Sequence, residues 1–173
     1  DVANDCGDYA FVTGNSAQQN PDADDVDEGT TRLISPVIDL SGYADPYVNY
    51  SRWFYNFHGP LAINDTLRVL VSNGTQTVEI DKIGSSGSFQ GQWIEKSIRI
   101  SDYISLTSTM QFFFNTSDED PNINITEAAL DRFFIVEDFE LGLNELIAET
   151  QVYPNPVQNV LNIKSNIVNT TYS

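Results

Sequence analysis

Residues 65–83 read DTLRVLVSNGTQTVEIDKI. Apolar side chains alternate on both sides of Asn73-Gly74, and a period of two puts them on one face of an extended chain. Asn-Gly readily supplies the positive φ angles at which a hairpin reverses. This stretch therefore demands an antiparallel strand pair. The same pattern recurs in TTRLISPVIDL, YVNYSRWFYNF, QWIEKSIRIS, STMQFFFNTS and AALDRFFIVE, each bounded by Gly, Asn, Asp or Ser. Pro36 lacks the N–H that a central ladder needs, so the first of these reads as an edge strand or a bulge. Nothing before residue 137 carries a capped helical period. The expectation is an all-β domain over residues 1–137, an antiparallel β-sandwich of jelly-roll type.

Charge narrows the partners. The 173 residues carry 25 acids against 8 bases, a formal charge of −17. Such a field repels phosphate backbones and anionic lipid headgroups, which argues against nucleic acid and membrane-surface partners and favours cations. No apolar run is long enough for a spanning helix, so membrane insertion is not expected. Cys6 is the only cysteine and His58 the only histidine. One thiol gives no internal disulfide, and one imidazole excludes zinc sites built on two or three histidines. Without a Gly-x-Ser-x-Gly elbow, no activated nucleophile is marked, and the chain reads as non-catalytic.

Residues 138–150, DFELGLNELIAET, break the strand pattern and read as a linker. From 151 the text becomes QVYPNPVQNVLNI, in which Pro154 and Pro156 hold the backbone extended and Val160, Leu161 and Ile163 begin a strand. The run Tyr153, Pro154, Asn155, Pro156 resembles the start of the C-terminal sorting domain of proteins exported by the type IX secretion system of Bacteroidetes. That resemblance implies the front of an Ig-like β module over 151–173. It also implies a secreted or cell-surface address and the type IX outer-membrane machinery as partner. The 23 residues from Gln151 to Ser173 are fewer than a full module of that family, so the chain is expected to be a segment of a longer protein.

A second resemblance covers most of residues 4–137. The segments NDCGDYAFVTGN, DDVDEGTTRLISPVIDLSGYADPYVNYSRWFYN, ISDYI and EAALDRFFIVE are similar to the MAM-like and cleaved-adhesin-like jelly-roll accessory domains of secreted Bacteroidetes proteins. Such domains often stand beside metallocarboxypeptidase or other peptidase domains, which would place any catalysis outside this segment. The resemblance implies a non-catalytic, calcium-binding sandwich; the alternative is an adhesin-like module for carbohydrate or matrix.

The candidate ligands follow. NPDADDVDEGTT crowds Asp22, Asp24, Asp25, Asp27 and Glu28 together, and such repulsion is relieved by solvent or by a cation with many oxygen ligands such as Ca²⁺. Asp25 and Asp27 project to one side of an extended backbone. Asp131 lies inside an apolar strand and needs a partner, either a metal ion or one of Arg32 and Arg52; Glu127 shares its alternation face. With the calcium binding that the resemblance implies, the calcium set is Asp25, Asp27, Glu127 and Asp131. On the aromatic strand, Tyr47, Trp53, Tyr55 and Phe57 alternate onto one face and Tyr50, Arg52 and Phe54 onto the other. Trp53 and Tyr55, with Trp93, are either core or a stacking platform for a surface glycan. Asp65-Thr66-Leu67 resembles the Bacteroidetes O-glycosylation tripeptide.

Overall fold

The computed structural model describes residues 2, 7, 9–14, 25–26, 29–57, 64–84, 89–118, 125–137, 151–153 and 162–164. The chain divides into two compact units, Asp1–Asp138 and Phe139–Ser173. In the first unit the strands are β1 (Phe11–Val12), β2 (Gly29–Ile34), β3 (Pro46–Phe57), β4 (Thr66–Ser72) and β5 (Thr77–Gly84). They continue as β6 (Phe89–Gln90), β7 (Ile94–Arg99), β8 (Gln111–Asp118) and β9 (Ile125–Glu137), with one 3-10 turn at Ile100–Asp102. In the second unit β10 (Gln151–Tyr153) pairs antiparallel with β11 (Asn162–Lys164).

The first unit is an antiparallel β-sandwich. One sheet runs β1-β9-β3, with β7 and β6 both paired to the far side of β3; the other runs β2-β8-β4-β5. Successive strands mostly change sheet, so 1-9-3-7 stands against 2-8-4-5, the strand order of a jelly roll. Antiparallel pairing with one buried face per sheet explains the clean alternation in the sequence. On β8, Phe112, Phe114, Thr116 and Asp118 are buried while the residues between them are only half-buried. The hairpin expected at Asn73-Gly74 joins β4 to β5 through a four-residue loop closed by the Asn73 N–H on the Gln76 carbonyl. Gly74 takes the positive φ of 89°. Asn73 Oδ1 accepts the N–H groups of Thr75 and Gln76, which fixes the reversal. β2 is an edge strand that ends two residues before Pro36, as the proline requires.

Two irregularities aim side chains that strict alternation would misplace. On β9, Arg132 and Phe133 together oppose Tyr50, because Asn49 pairs with Phe134 and Ser51 with Asp131. Arg132 absorbs the extra residue at φ 52°, a left-handed conformation that costs a non-glycine residue roughly 1–2 kcal/mol. The β-bulge lets both Leu130 and Phe133 face the core. Phe133 packs edge-on against Phe112 and Phe114, at centroid distances of 5.5 and 5.8 Å. On β5, Val69 pairs with Asp81 but Leu70 with Glu79, so Ile80 is the extra residue. Ile80 is buried, and Asp81 is turned inward beside it.

That inward turn places a carboxylate between the sheets. Asp81 Oδ2 accepts from Arg52 Nε at 2.7 Å and from the Tyr50 hydroxyl at 3.0 Å, while Lys96 Nζ lies 3.1 Å from Oδ1. Arg52 and Tyr50 come from β3, Lys96 from β7 and Asp81 from the facing sheet, so the cluster ties the two sheets together. Burial works against the Asp81 carboxylate, yet the hydrogen bond and charge of Arg52, and then Lys96, hold its pKa below the ordinary range. Burial, with the Asp81 charge, pushes the Tyr50 hydroxyl far above its usual value. Arg52 is therefore the partner of Asp81 rather than of Asp131, and Arg32 bonds Asn115 on the neighbouring strand.

Candidate functional site

The outer face of the five-stranded sheet follows from the odd-numbered residues of β3. Val48, Tyr50, Arg52, Phe54 and Asn56 are buried between the sheets, which leaves Tyr47, Asn49, Ser51, Trp53, Tyr55 and Phe57 on the opposite face. The sequence division of this strand into two aromatic faces is the one observed. Trp53 and Tyr55 are half-buried, and their rings lie parallel to within 14° at a centroid distance of 6.0 Å. Their outward neighbours are small or polar: Ala129 and Glu127 on β9 stand opposite Trp53 and Tyr55. Trp93 is half-buried one residue before β7.

Gly91 fixes the indole. It takes φ 69°, and a Cβ there would lie 2.2 Å from Cζ2 of Trp53 and 2.9 Å from Nε1. Only a glycine lets the backbone approach the ring so closely while adopting that φ. Trp53 is thus braced on one side by main chain, which sets its ring orientation.

Ser51, between Asn49 and Trp53, is paired on one side with Asp131 and on the other with Glu95 of β7. The Arg132 guanidinium spans the top of β3 to Glu95, Nη1 to Oε1 at 2.5 Å, and Ser51 beneath is 1% exposed. Asp131 is also buried on this face. Its Oδ2 accepts the Val2 N–H at 2.7 Å and its Oδ1 the Arg132 N–H at 2.7 Å. The partner that an apolar strand demanded for Asp131 includes these backbone amides.

Of the calcium candidates, Asp27 lies outside the described residues. Asp25 precedes Val26, whose N–H donates to the Thr126 carbonyl at 3.0 Å. The end of the acidic loop therefore runs beside Thr126 and Glu127 on the last strand. Glu127 and Asp131 do share a face, but four residues of strand separate their Cα atoms by about 13 Å. Among the described residues no group of three or more His, Cys, Asp or Glu side chains comes together.

A cleft of about 170 Å³ opens elsewhere, between the sheets at the β1/β2 edge. Leu33, Leu67, Phe114 and Leu130 line its floor, and Phe11 and Val12 its rim, with no carboxylate, histidine or cysteine among the lining residues. It offers no acid or base for hydrolysis. Asp65 is fully buried and accepts from Thr126 Oγ1 at 2.7 Å. Thr66 is 3% exposed, so its hydroxyl is out of reach of a glycosyl carrier in the folded domain. Cys6, His58 and Pro154, Asn155 and Pro156 lie outside the described residues, whereas Tyr153 ends β10. Sequence reasoning missed Asp81, Glu95 and Arg132, each aimed or bridged through a register that only strand pairing reveals.

No protein-family model and no curated protein matches the chain. A solved structure of TmCBM61 in complex with β-1,4-galactotriose is similar over 76% of this chain and 72% of its own, at 14% identity and a TM-score of 0.39. A likeness that distant carries no argument about what this face binds.

Proposed function

We propose that this chain is a non-catalytic binding module of a secreted or cell-surface protein, and that it works through the outer face of its five-stranded sheet by recognising carbohydrate. The observation that carries this reading is the parallel, half-exposed Trp53–Tyr55 pair braced by Gly91. The two rings stack on one another, and such a rigid, half-exposed aromatic pair offers apolar area against which the C–H faces of sugar rings can pack at little entropic cost. The carboxylates of Asp65, Asp81 and Asp131 accept hydrogen bonds within the fold, and the cleft is lined by no carboxylate, histidine or cysteine, which supports a binding rather than a hydrolytic role. The test is retardation of the chain in native gels cast with neutral polysaccharides. The wild type should be retarded by at least one of them, and Trp53→Ala should weaken that binding at least tenfold. If Trp53→Ala migrates as the wild type does, the aromatic face is not the site.

The address is part of the proposal. The Tyr153-Pro154-Asn155-Pro156 run supports export by the type IX machinery, with the sandwich delivered to the surface beside other domains of its own chain. Bound calcium is proposed as a brace of the fold. The Val26–Thr126 hydrogen bond supports it by bringing the acidic loop to the last strand, where Asp25 and Glu127, with Asp27, would supply carboxylate oxygens. Asp131, about 13 Å along the strand from Glu127, has its oxygens engaged by two amides. An ion bound only by the folded state stabilises it by about 2.7 kcal/mol at a hundredfold excess over Kd. Chelation with EGTA should therefore lower the melting temperature by several degrees in the wild type and not in Asp25→Asn. Equal melting temperatures with calcium and with EGTA would remove the ion from the account.

A further inference from the structure

We infer that the Arg132–Glu95 bridge is the hydroxyl-reading arm of that surface, and that the ligand is an uncharged glycan. This rests on the carbohydrate reading of Trp53 and Tyr55 and adds the residues that would orient the sugar. Sugar rings present flat C–H faces and a rim of hydroxyls, each both donor and acceptor. An aromatic floor alone stacks without orienting; a few polar groups at its border fix the pose. The pairing register puts such groups there. Ser51 is two residues from Trp53 on the same face of β3, and Glu95 and Asp131 are its direct cross-strand neighbours. Arg132 reaches over Ser51 from the β9 side to Glu95 on the β7 side.

The pair has the chemistry of a hydroxyl reader. A guanidinium offers several fixed donors and a carboxylate only acceptors, so together they can engage both roles of neighbouring hydroxyls. The bridge uses one nitrogen and one oxygen, and the Glu95 side chain is 71% exposed. Its backbone setting points the same way. Arg132 holds a left-handed φ of 52° in the middle of a strand, a position where glycine would be relaxed. Strained residues of this kind persist where their side chain is needed at one place. Here the bulge sends Arg132 outward while Asp131 Oδ1, accepting its N–H, holds the turn. Asp131 is thus a positioning residue rather than part of the arm.

Charge selects the class of ligand. Arg132 is already neutralised by Glu95, and the chain as a whole carries a formal charge of −17. Uronate, sulfate or phosphate groups would be repelled, and a neutral polyol would not. The locally balanced donor–acceptor pair complements uncharged hydroxyls.

The experiment uses the full chain in native gels containing galactan, mannan, mixed-linkage β-glucan or starch, with polygalacturonate as the anionic member. The wild type should be retarded by a neutral polymer and not by polygalacturonate. Arg132→Gly keeps the bulge relaxed and removes only the arm. It should lower affinity at least tenfold with a melting temperature equal to or above that of the wild type, and Glu95→Gln should lower affinity several-fold. If Trp53→Ala loses binding while Arg132→Gly and Glu95→Gln retain it, the arm is wrong and the aromatic surface stands. A lower melting temperature of Arg132→Gly with unchanged binding makes the bridge structural and overturns the inference. Retardation by polygalacturonate overturns the neutral class. If no neutral polymer retards the wild type, or Trp53→Ala binds normally, the carbohydrate reading fails and the arm with it.

Discussion

Replacing Asp81 with alanine is expected to cost roughly 3–5 kcal/mol of stability, a large part of the 5–15 kcal/mol that holds an ordinary domain together. The substitution removes one carboxylate but strands three groups. Arg52, with a side chain 8% exposed, loses its partner; Lys96 loses its anion; the Tyr50 hydroxyl loses its acceptor. Arg52 Nη1 already has no hydrogen-bond partner in the structure, so the guanidinium has little to fall back on. Urea unfolding of the full chain would give the loss directly. Changing the whole cluster to apolar residues, Arg52→Met with Asp81→Leu and Lys96→Met, should cost far less than Asp81→Ala alone, because no buried charge is then left over. An Asp81→Ala protein as stable as the wild type would show that the cluster is solvated and that the sheets are joined by apolar packing alone.

The same residue sets a pH dependence with a definite sign. Its folded-state pKa is held below that of an ordinary aspartate, so the fold favours the ionised form over the protonated one. The contribution is fully present above the unfolded value and is lost as pH falls through the folded one. The stability gap between wild type and Asp81→Asn should be widest near neutrality and narrow below about pH 4. A gap that stays constant to pH 2 would assign the difference to packing rather than to charge.

Why Asp81 escaped a reading of the sequence is instructive. In TVEIDKI, Val78 and Ile80 set an alternation that sends Asp81 to solvent. One inserted residue reverses it, and an insertion leaves no mark until the partner strand supplies a register. Arg132 hides for the same reason: LDRFF shows two adjacent aromatics, and nothing in it says which faces the core. Where alternation runs unbroken, as along β3, the two aromatic faces were legible from the sequence. Asn73-Gly74 was legible because its chemistry is local. Contacts between sheets were not: the sequence offers Arg52 as one candidate partner for Asp131, while in the fold Asp81 meets Arg52 from the opposite sheet. The outer face was legible as a row of aromatics and as a candidate stacking platform, but its polar border was not. Its polar border comes from Glu95 on β7 and Arg132 on β9, which are 37 residues apart in sequence and meet across β3.

The largest effect expected in the cell concerns address rather than binding. Removing the residues from 151 onward from the full-length protein should convert surface delivery into retention in the periplasm, because the proposed export reads a folded tag and not the sandwich. The physical ground is separability. Phe139–Ser173 is a compact unit by itself, and within it Gln151–Tyr153 and Asn162–Lys164 form an antiparallel pair that brackets the Pro-Asn-Pro segment. The first unit has its own core of Phe112, Phe114 and Tyr50 and is therefore expected to fold without residues 151–173. The truncated protein should therefore accumulate folded and protease-resistant in the periplasm, still retarded by the same neutral polysaccharide. Surface fractionation with an antibody against the sandwich would decide it. A truncated protein that still reaches the surface would show that residues 151–173 are not the signal.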